Sequence, residues 1–244
     1  MFLSKLVLNV RSEFARRDLA RPYEMHRTLW SAFGQKKWNW SDRQKPLGEP
    51  AELLFRVDAD PCGGMPTVLV QSQAEPDWSA LPAGYAIDVS PPKPFAVAVS
   101  VGQRLRFRLR ANPTKRLREA SVHANGSPIE PRWVGKRVGL LTEADRLRWL
   151  VRKSENGGFR IPGAWVKASH PLTGEEVELP NFRVDAIPEG RFGNGKRGSD
   201  GGFVAVRFEG VLEVTDPAAL AAIVAAGIGS GKGYGFGLLS LAPA

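Results

Sequence analysis

The stretch SPPKPF, residues 90–95, divides the sequence into two halves. Proline lacks a backbone N–H and fixes φ, so three prolines in six residues favour a stiff, extended linker over a strand within a sheet. A chain of 244 residues can supply a hydrophobic core on each side of such a linker. We therefore expect an N-terminal domain over residues 1–89 and a C-terminal domain over residues 96–244, joined by residues 90–95.

Toward the N-terminus, the hydrophobic pattern predicts four strands and two helices in the order βαββαβ. The predicted strands are Leu3–Asn9, Leu53–Asp58, Thr67–Gln73 and Tyr85–Val89. The predicted helices are Pro22–Phe33 and the short Asp77–Leu81. This order is typical of a ferredoxin-like unit, in which helices cover one face of a sheet.

The C-terminal half repeats this order more loosely. Leu105–Arg110 alternates apolar and basic residues with a period of two, which predicts a strand with one buried face. Further strands are predicted at Phe203–Val214 and Gly237–Leu241, helices at Thr142–Ser154 and Pro217–Ala226, and a mobile loop at residues 180–202. The predicted fold class is α+β, with two tandem ferredoxin-like (RRM-like, βαββαβ) domains.

The composition is strongly basic, with 34 Lys and Arg against 25 Asp and Glu, a net charge of +9 and a pI near 10.0. Such an excess favours a polyanionic partner, most often nucleic acid, although a solvated basic surface is the alternative. The single cysteine, Cys62, excludes an internal disulfide and a zinc site made of several cysteines. No segment approaches the roughly 20 apolar residues of a membrane span, and the first residues do not form a secretory signal, so we expect a cytoplasmic protein.

Most of the basic clusters lie in the C-terminal half. Each cluster alone is usually a solvated face, but several together favour a phosphate-binding surface. The candidates are Arg108, Arg110, Lys136, Arg137, Arg146, Arg148, Arg152 and Lys153. Because the aromatic residues do not alternate with these clusters, structured RNA is at least as good a partner as a single strand.

The helix predicted at Pro22–Phe33 carries one of the three histidines. Helical periodicity places Met25, Leu29, Ala32 and Phe33 on the core face, with Tyr23, Arg27 and Trp30 opposite and His26 at the edge. His26 is therefore either a surface histidine with a local partner or a general acid or base, since its ordinary pKa suits proton transfer near neutral pH.

Residues 227–237, GIGSGKGYGFG, have glycine at every odd position. This spacing excludes G-x-G-x-x-G, and the Walker motif fails because Ala226 and Gly233 occupy its first glycine and its Ser/Thr. Two interpretations remain open. Either another chain approaches this backbone closely, with Lys232 holding a phosphate, or the segment is a flexible connector.

Several collinear motifs together resemble the CasE (Cse3) family. They are KLVLN and RRDLARPYEMHRTLW near the start, VLVQSQAEPDW, PPKPF, LRFRLRANPTKR, GKRVGL and the terminal GIGSGKGYGFGLLSLAP. Members of this family are endoribonucleases of type I-E CRISPR systems and subunits of the Cascade complex. The resemblance implies two ferredoxin-like domains and cleavage of a repeat hairpin in precursor CRISPR RNA. It also implies that cleavage requires neither a metal nor a cofactor. The implied partners are the RNA hairpin and other Cascade subunits, and no membrane is involved.

The resemblance also implies roles for particular residues. His26 matches the family's catalytic histidine and Tyr23 the nearby tyrosine. A further basic or hydroxyl side chain usually assists them, and the candidates here are Arg27, Ser31 and Lys36. The hairpin stem would lie along the basic residues of the second domain, with Lys232 as an additional phosphate ligand. The alternative function is a guide-RNA-binding subunit that does not cut.

Overall fold

A computed structural model describes residues 1–34, 52–59, 63–118, 130–163, 165–169, 176–180, 184–193 and 202–244. Lys36 and Cys62 lie outside these ranges. Within them, no helix is both long enough and apolar enough to cross a membrane. The chain folds around two antiparallel sheets, one in each half.

The first sheet has the strand order β2-β3-β1-β4, and its neighbouring strands are antiparallel. Its elements are β1 (Phe2–Leu8), α1 (Glu13–Ala20), α2 (Pro22–Trp30), β2 (Leu53–Asp58), β3 (Thr67–Ser72), β4 (Ala86–Val89) and β5 (Lys93–Pro94). The first strand lies between the third and the fourth, which is the ferredoxin-like arrangement. All four predicted strands are confirmed, with each end within one residue of its predicted position.

The helices of the first half differ from the prediction in two ways. Helix α1 was not predicted, because its buried residues are only Ala15 and Asp18 and it therefore has no apolar stripe. The predicted Pro22–Phe33 helix is α2 followed by a 3₁₀ turn at Ser31–Phe33. Another 3₁₀ turn, Trp78–Ala80, takes the place of the second helix and is capped by Asp77.

The second sheet repeats the arrangement, with the strand order β12-β13-β6-β14. Its half contains β6 (Arg104–Ala111), β7 (Thr114–Arg116), β8 (Arg137–Gly139), α3 (Glu143–Glu155), β9 (Phe159–Arg160), β10 (Trp165–Ser169), β11 (Glu176–Pro180), β12 (Val184–Gly193), β13 (Gly202–Val214), α4 (Pro217–Ala226) and β14 (Leu239–Pro243). Helices α3 and α4 occupy the two crossover positions. The predicted α+β fold of two tandem ferredoxin-like domains is confirmed.

The prediction of a mobile loop at residues 180–202 is wrong for its central part, because Val184–Gly193 forms β12 and pairs with β13. The sequence did not predict this strand because it contains Pro188, Gly190 and Gly193, and proline and glycine weaken a strand pattern. The pairing register shifts between Pro188 and Gly190, so a local irregularity accommodates both residues within the sheet.

Each half has its own hydrophobic core. The first is formed by residues between Leu6 and Tyr85, and the second by residues between Leu105 and Leu239. In the predicted linker, Lys93 and Pro94 pair with β1, while Phe95 packs against the second core. The exact division of the chain at residues 90–95 stays a prediction.

On the face of the first sheet that α1 and α2 do not cover, the part formed by β2 and the end of β3 packs against the second half. Leu54 is fully buried there and lies against Gly227. The buried Gln71 side chain donates a 2.9 Å hydrogen bond to the carbonyl of Val224 in the last turn of α4. That carbonyl has no partner within the helix, so Gln71 caps α4 from the other half of the protein.

Arg56 makes a second polar link across the same interface. Its side chain is 4% exposed, pairs with Asp58 at 2.8 Å, and donates a 2.8 Å hydrogen bond to Ser240 Oγ on β14. Buried polar groups are costly unless they are hydrogen-bonded, so these bonds favour one relative placement of the two halves.

A buried carboxylate attaches α1 to the first sheet. Asp18 is fully buried and accepts hydrogen bonds from the Tyr85 hydroxyl at 3.0 Å and from Arg17 Nη2 at 2.7 Å. The Arg17 guanidinium also donates to Thr28 Oγ1 on α2, at 3.3 Å. The carboxylate therefore helps to fix both helices.

Replacing Asp18 with alanine should lower the free energy of unfolding by about 1–3 kcal/mol, because the buried Tyr85 hydroxyl loses its acceptor. Urea denaturation of the full chain measures the change. Asp18→Asn keeps an acceptor oxygen and is the matched control, with a smaller expected loss. Equal stability of Asp18→Ala and wild type would show that the carboxylate contributes nothing.

Candidate active site and nucleic-acid interface

Helix α2 places Tyr23 and His26 side by side. Pro22 begins the helix, where its fixed φ is favourable and its missing N–H costs nothing. The rings of Tyr23 and His26 lie 6.5 Å apart and within 15° of parallel. Tyr23 is half-buried, whereas His26 is only 4% exposed.

His26 is enclosed by aromatic side chains. Its ring centroid lies 5.9 Å from that of Trp30 and 6.2 Å from that of Phe55 on β2. The expectation that Trp30 lies opposite the core is wrong, because Trp30 is 9% exposed and belongs to the first core. Helical periodicity finds the Met25–Leu29 face but cannot show that residues distant in sequence cover the neighbouring face.

Burial lowers the pKa of His26 from 6.5 to about 4. Desolvation disfavours the charged imidazolium, so the ring is neutral near pH 7. A neutral imidazole can accept a proton, which is what a general base requires.

The glycine-rich segment of residues 227–237 covers this part of α2. Its 3₁₀ turn, Lys232–Tyr234, places the Tyr234 ring 5.6 Å from that of Tyr23 and 4.3 Å from that of Phe203. Two backbone hydrogen bonds hold the segment in place. Ile228 N–H donates to the Gly237 carbonyl at 2.9 Å, and Gly237 N–H donates to the Arg110 carbonyl on β6 at 2.8 Å. These contacts attach the segment to α2 and β6 of the same chain, while close approach by another chain, with Lys232 holding a phosphate, stays a prediction.

Next to this segment lies a group of cations that we call the basic surface, formed by Arg137, Arg152, Lys153 and Lys232. Burial is the main cause that lowers the pKa of Lys232, and the nearby positive charge of Lys153 lowers it further. Burial, followed by the charges of Arg152 and Arg137, lowers the pKa of Lys153. These repulsions show that α3, β8 and the glycine-rich segment bring positive charges together, as a site for phosphates requires.

Other predicted phosphate ligands border the basic surface. Arg148 is 56% exposed on α3, and its Nη1 lies 3.9 Å from Asp145 Oδ1. Lys136 is exposed and lies 4.5 Å from the centre of the Trp133 ring. Arg116 lies directly opposite Arg137 in the antiparallel β7–β8 pair, so a further cation adjoins the basic surface.

Three predicted phosphate ligands have hydrogen-bond or ion-pair partners within the protein. Arg146 is 8% exposed, and its Nε donates to the Leu140 carbonyl at 3.1 Å. Arg108 Nε pairs with Glu209 at 2.6 Å, and Arg110 Nε pairs with Glu189 at the same distance. Arg110 also lies against the glycine-rich segment, with Nη1 3.5 Å from the Gly235 carbonyl, and a phosphate-binding role for the three residues stays a prediction.

The candidates for a supporting role near His26 have local partners. Arg27 is exposed and pairs with Glu24 at 3.2 Å. Ser31 donates from its hydroxyl to the Thr28 carbonyl at 2.7 Å. Among the residues that the structure describes, no group of three or more His, Cys, Asp or Glu side chains is arranged to hold a metal ion.

Comparison with known proteins decides the family. Residues 1–243 match the family described as CRISPR associated protein. The chain belongs to this CRISPR-associated family. It is 45% identical to the CRISPR-associated endoribonuclease Cse3 of Thermus thermophilus and 32% identical to the CRISPR system Cascade subunit CasE of Escherichia coli K12, covering 100% of each chain.

A solved structure extends the match to three dimensions. Thermus thermophilus Cse3 bound to an RNA that represents a pre-cleavage complex has a TM-score of 0.74 and 42% identity, over 99% of this chain and 98% of that one. The resemblance of the sequence to the CasE (Cse3) family is thereby confirmed. The CRISPR-associated protein described here carries its Tyr23–His26 pair beside the basic surface within this shared fold.

The pKa of His26 predicts an acid-sensitive contribution to stability. The unfolded chain binds the proton near pH 6.5 and the folded chain only near pH 4, so the free energy of unfolding falls as pH falls between these values. From pH 7 to pH 4.5 the loss due to His26 should be about 2 kcal/mol. His26→Gln removes the titration, so urea denaturation at both pH values should show a smaller decrease for this variant. An identical decrease in both proteins would contradict burial of a neutral imidazole.

Proposed function

We propose that this protein is an endoribonuclease that cuts the repeat hairpin of CRISPR precursor RNA and then stays bound to the mature RNA within Cascade. The observation that carries the proposal is the arrangement of a neutral His26 and Tyr23 beside the basic surface. Cations on α3, β8 and the glycine-rich segment would hold the RNA phosphates while α2 presents the proton acceptor. The name and the RNA complex of the Thermus thermophilus relative support this proposal.

The proposed reaction is a transesterification within the RNA. His26 accepts the proton of the 2′-hydroxyl upstream of the cleaved bond, and that oxygen attacks the adjacent phosphorus. The bond from phosphorus to the 5′-oxygen breaks, and that oxygen takes up a proton. The products are a 2′,3′-cyclic phosphate and a 5′-hydroxyl, and neither metal nor cofactor takes part.

Tyr23 would donate a hydrogen bond to the phosphate during this step. Its ring is half-buried and contacts Tyr234, which restricts the direction of the hydroxyl. A fixed donor next to a phosphate stabilises the charge that develops in the transition state.

The alternative function is a guide-RNA-binding subunit that does not cut. The low exposure of His26, 4%, is the observation that favours it, because a base must reach the proton it accepts. Cleavage tests separate the two functions, since both require RNA binding and only one requires His26.

The first test is cleavage of a cognate repeat hairpin in EDTA, followed by analysis of the RNA ends. The proposal requires a cyclic phosphate, and no cut in a hairpin that carries a single 2′-deoxy nucleotide upstream of the cleaved bond. Tight binding of both hairpins without any cleavage would establish the carrier function instead.

His26→Ala should slow single-turnover cleavage by about 10²–10⁴-fold, the usual contribution of a positioned base. Affinity for the 2′-deoxy hairpin should change little, because His26 provides no phosphate-binding charge at neutral pH. Cleavage by His26→Ala at the wild-type rate would eliminate His26 as the base.

Arg148→Glu combined with Arg152→Glu should weaken hairpin affinity by about tenfold or more and reduce the salt dependence of binding by about two charges. Arg104→Glu with Arg106→Glu is the matched control, because it reverses two charges on the face of β6 away from α3. Equal losses of affinity in the two double variants would mean that net charge, and not α3, governs binding.

A further inference from the structure

Four arginines alternate along the face of β6 that lies away from its core, and the last of them, Arg110, is the least exposed. The side chains of Arg104 and Arg108 are 64% and 43% exposed, whereas that of Arg110 is only 13% exposed. A guanidinium that loses contact with water needs partners within the protein. The partners of Arg110 therefore indicate its role.

Arg110 contacts the glycine-rich segment through both its backbone and its side chain. Its carbonyl accepts the 2.8 Å hydrogen bond from Gly237 N–H. Its Nη1 lies 3.5 Å from the Gly235 carbonyl, and its guanidinium carbon lies 4.8 Å from the centre of the buried Phe236 ring. A guanidinium at this distance over an aromatic face is attracted to the ring. These contacts hold residues 235–237 against β6.

Glu189 fixes the guanidinium of Arg110 in this position. Its Oε2 lies 2.6 Å from Arg110 Nε, which makes a charge-assisted hydrogen bond. Glu189 lies at the irregularity of β12, where the pairing register with β13 shifts between Pro188 and Gly190. Such an irregularity redirects a side chain, and here the carboxylate reaches across β13 to β6.

The residues that Arg110 holds adjoin the turn that contacts α2. Gly235 directly follows the 3₁₀ turn Lys232–Tyr234, and its N–H donates to the Lys232 carbonyl at 3.2 Å. The Tyr234 ring in that turn lies 5.6 Å from the ring of Tyr23 on α2. A shift of the Gly235 carbonyl would therefore move Tyr234 relative to Tyr23, the proposed hydrogen-bond donor to the phosphate.

We propose that Arg110, fixed by Glu189, is a positioning residue that holds the turn Lys232–Tyr234 against Tyr23 on α2. This inference rests on the proposed function and adds to it a link from the second sheet to the proposed active site. The charge of Arg110 is directed to Glu189 and to the glycine-rich segment, so the residue acts through that turn and not on a phosphate.

A positioning residue and a phosphate ligand differ in their effects on cleavage and on binding. Loss of the Glu189–Arg110 pair would displace the turn, and a misplacement of about 1 Å can slow a reaction by about 100-fold. Coulomb attraction changes gradually with distance, so Lys232 in a displaced turn would still attract RNA. Replacement of a phosphate ligand would instead weaken binding and reduce its salt dependence by about one charge.

Glu209 provides a closely matched control for Glu189. Each carboxylate lies 2.6 Å from Nε of an arginine on β6, and each also lies near Arg207 Nε, at 3.7 Å for Glu189 and 3.3 Å for Glu209. The partner of Glu209 is Arg108, two residues before Arg110 on the same face. Replacing either glutamate with glutamine therefore removes the same charge from one face but affects a different arginine.

The test measures single-turnover cleavage at saturating repeat hairpin, affinity for the 2′-deoxy hairpin over a range of salt concentrations, and Tm, all with the full chain. Glu189→Gln and Arg110→Gln should each slow cleavage by about 10- to 100-fold. Because the two residues act as a pair, the double variant should be no slower than Arg110→Gln. Glu209→Gln should cleave at the wild-type rate, and its affinity should equal that of Glu189→Gln.

Slow cleavage by Glu189→Gln and Arg110→Gln, with the salt dependence of wild type, supports the proposal. Cleavage by Glu189→Gln at the rate of Glu209→Gln overturns it. A salt dependence that falls by about one charge in Arg110→Gln also overturns it, because Arg110 then contacts a phosphate. If Arg110→Gln lowers Tm, the comparison of Glu189→Gln with Glu209→Gln decides.

Failure of the proposed function is a separate result. Wild-type protein that binds the hairpin without cutting it refutes the proposed function and this inference with it. Wild-type protein that cuts, together with a Glu189→Gln variant that cuts equally fast, overturns the positioning role alone.

Discussion

The hydrogen bond from the buried Gln71 amide to the Val224 carbonyl fixes how the two halves meet. It joins the first sheet to the end of α4, three residues before the glycine-rich segment begins. Leu54 and Arg56 contact the second half from the same sheet face. The contact of Gly233 and Tyr234 with α2 depends on this placement, because neither half alone would hold the segment over His26.

The placement of the second half against the first explains why the amphipathic helix α2 has two buried faces. Met25 and Leu29 pack on the first sheet, as the helical pattern predicts. His26 and Trp30 are buried because aromatic residues and the glycine-rich segment close the neighbouring side. The same closure removes water from the imidazole, which lowers its pKa and keeps it neutral.

The local sequence predicted most of the fold, since Arg104–Ala111 alternates apolar and basic residues and a continuous apolar run ending at Gly227 forms the helix Pro217–Ala226. It missed α1, whose most buried polar residue is an aspartate, and β12, which proline and glycine interrupt. The sequence indicated Tyr23, His26 and the cations of α3 as site residues. It could not distinguish Arg146 from the exposed arginines of α3, because the burial of Arg146 and its bond to the Leu140 carbonyl depend on how the chain packs before α3.

Burial of β2 on both faces of the first sheet has a consequence for cooperativity. A solitary ferredoxin-like unit leaves one sheet face in water, but here that face contains Leu54 and the hydrogen-bonded Gln71 and Arg56. Separating the halves would expose apolar surface and break these hydrogen bonds at the same time, so separation would carry a large free-energy penalty. We therefore expect the two sheets to melt as a single unit, although their topology shows two repeats.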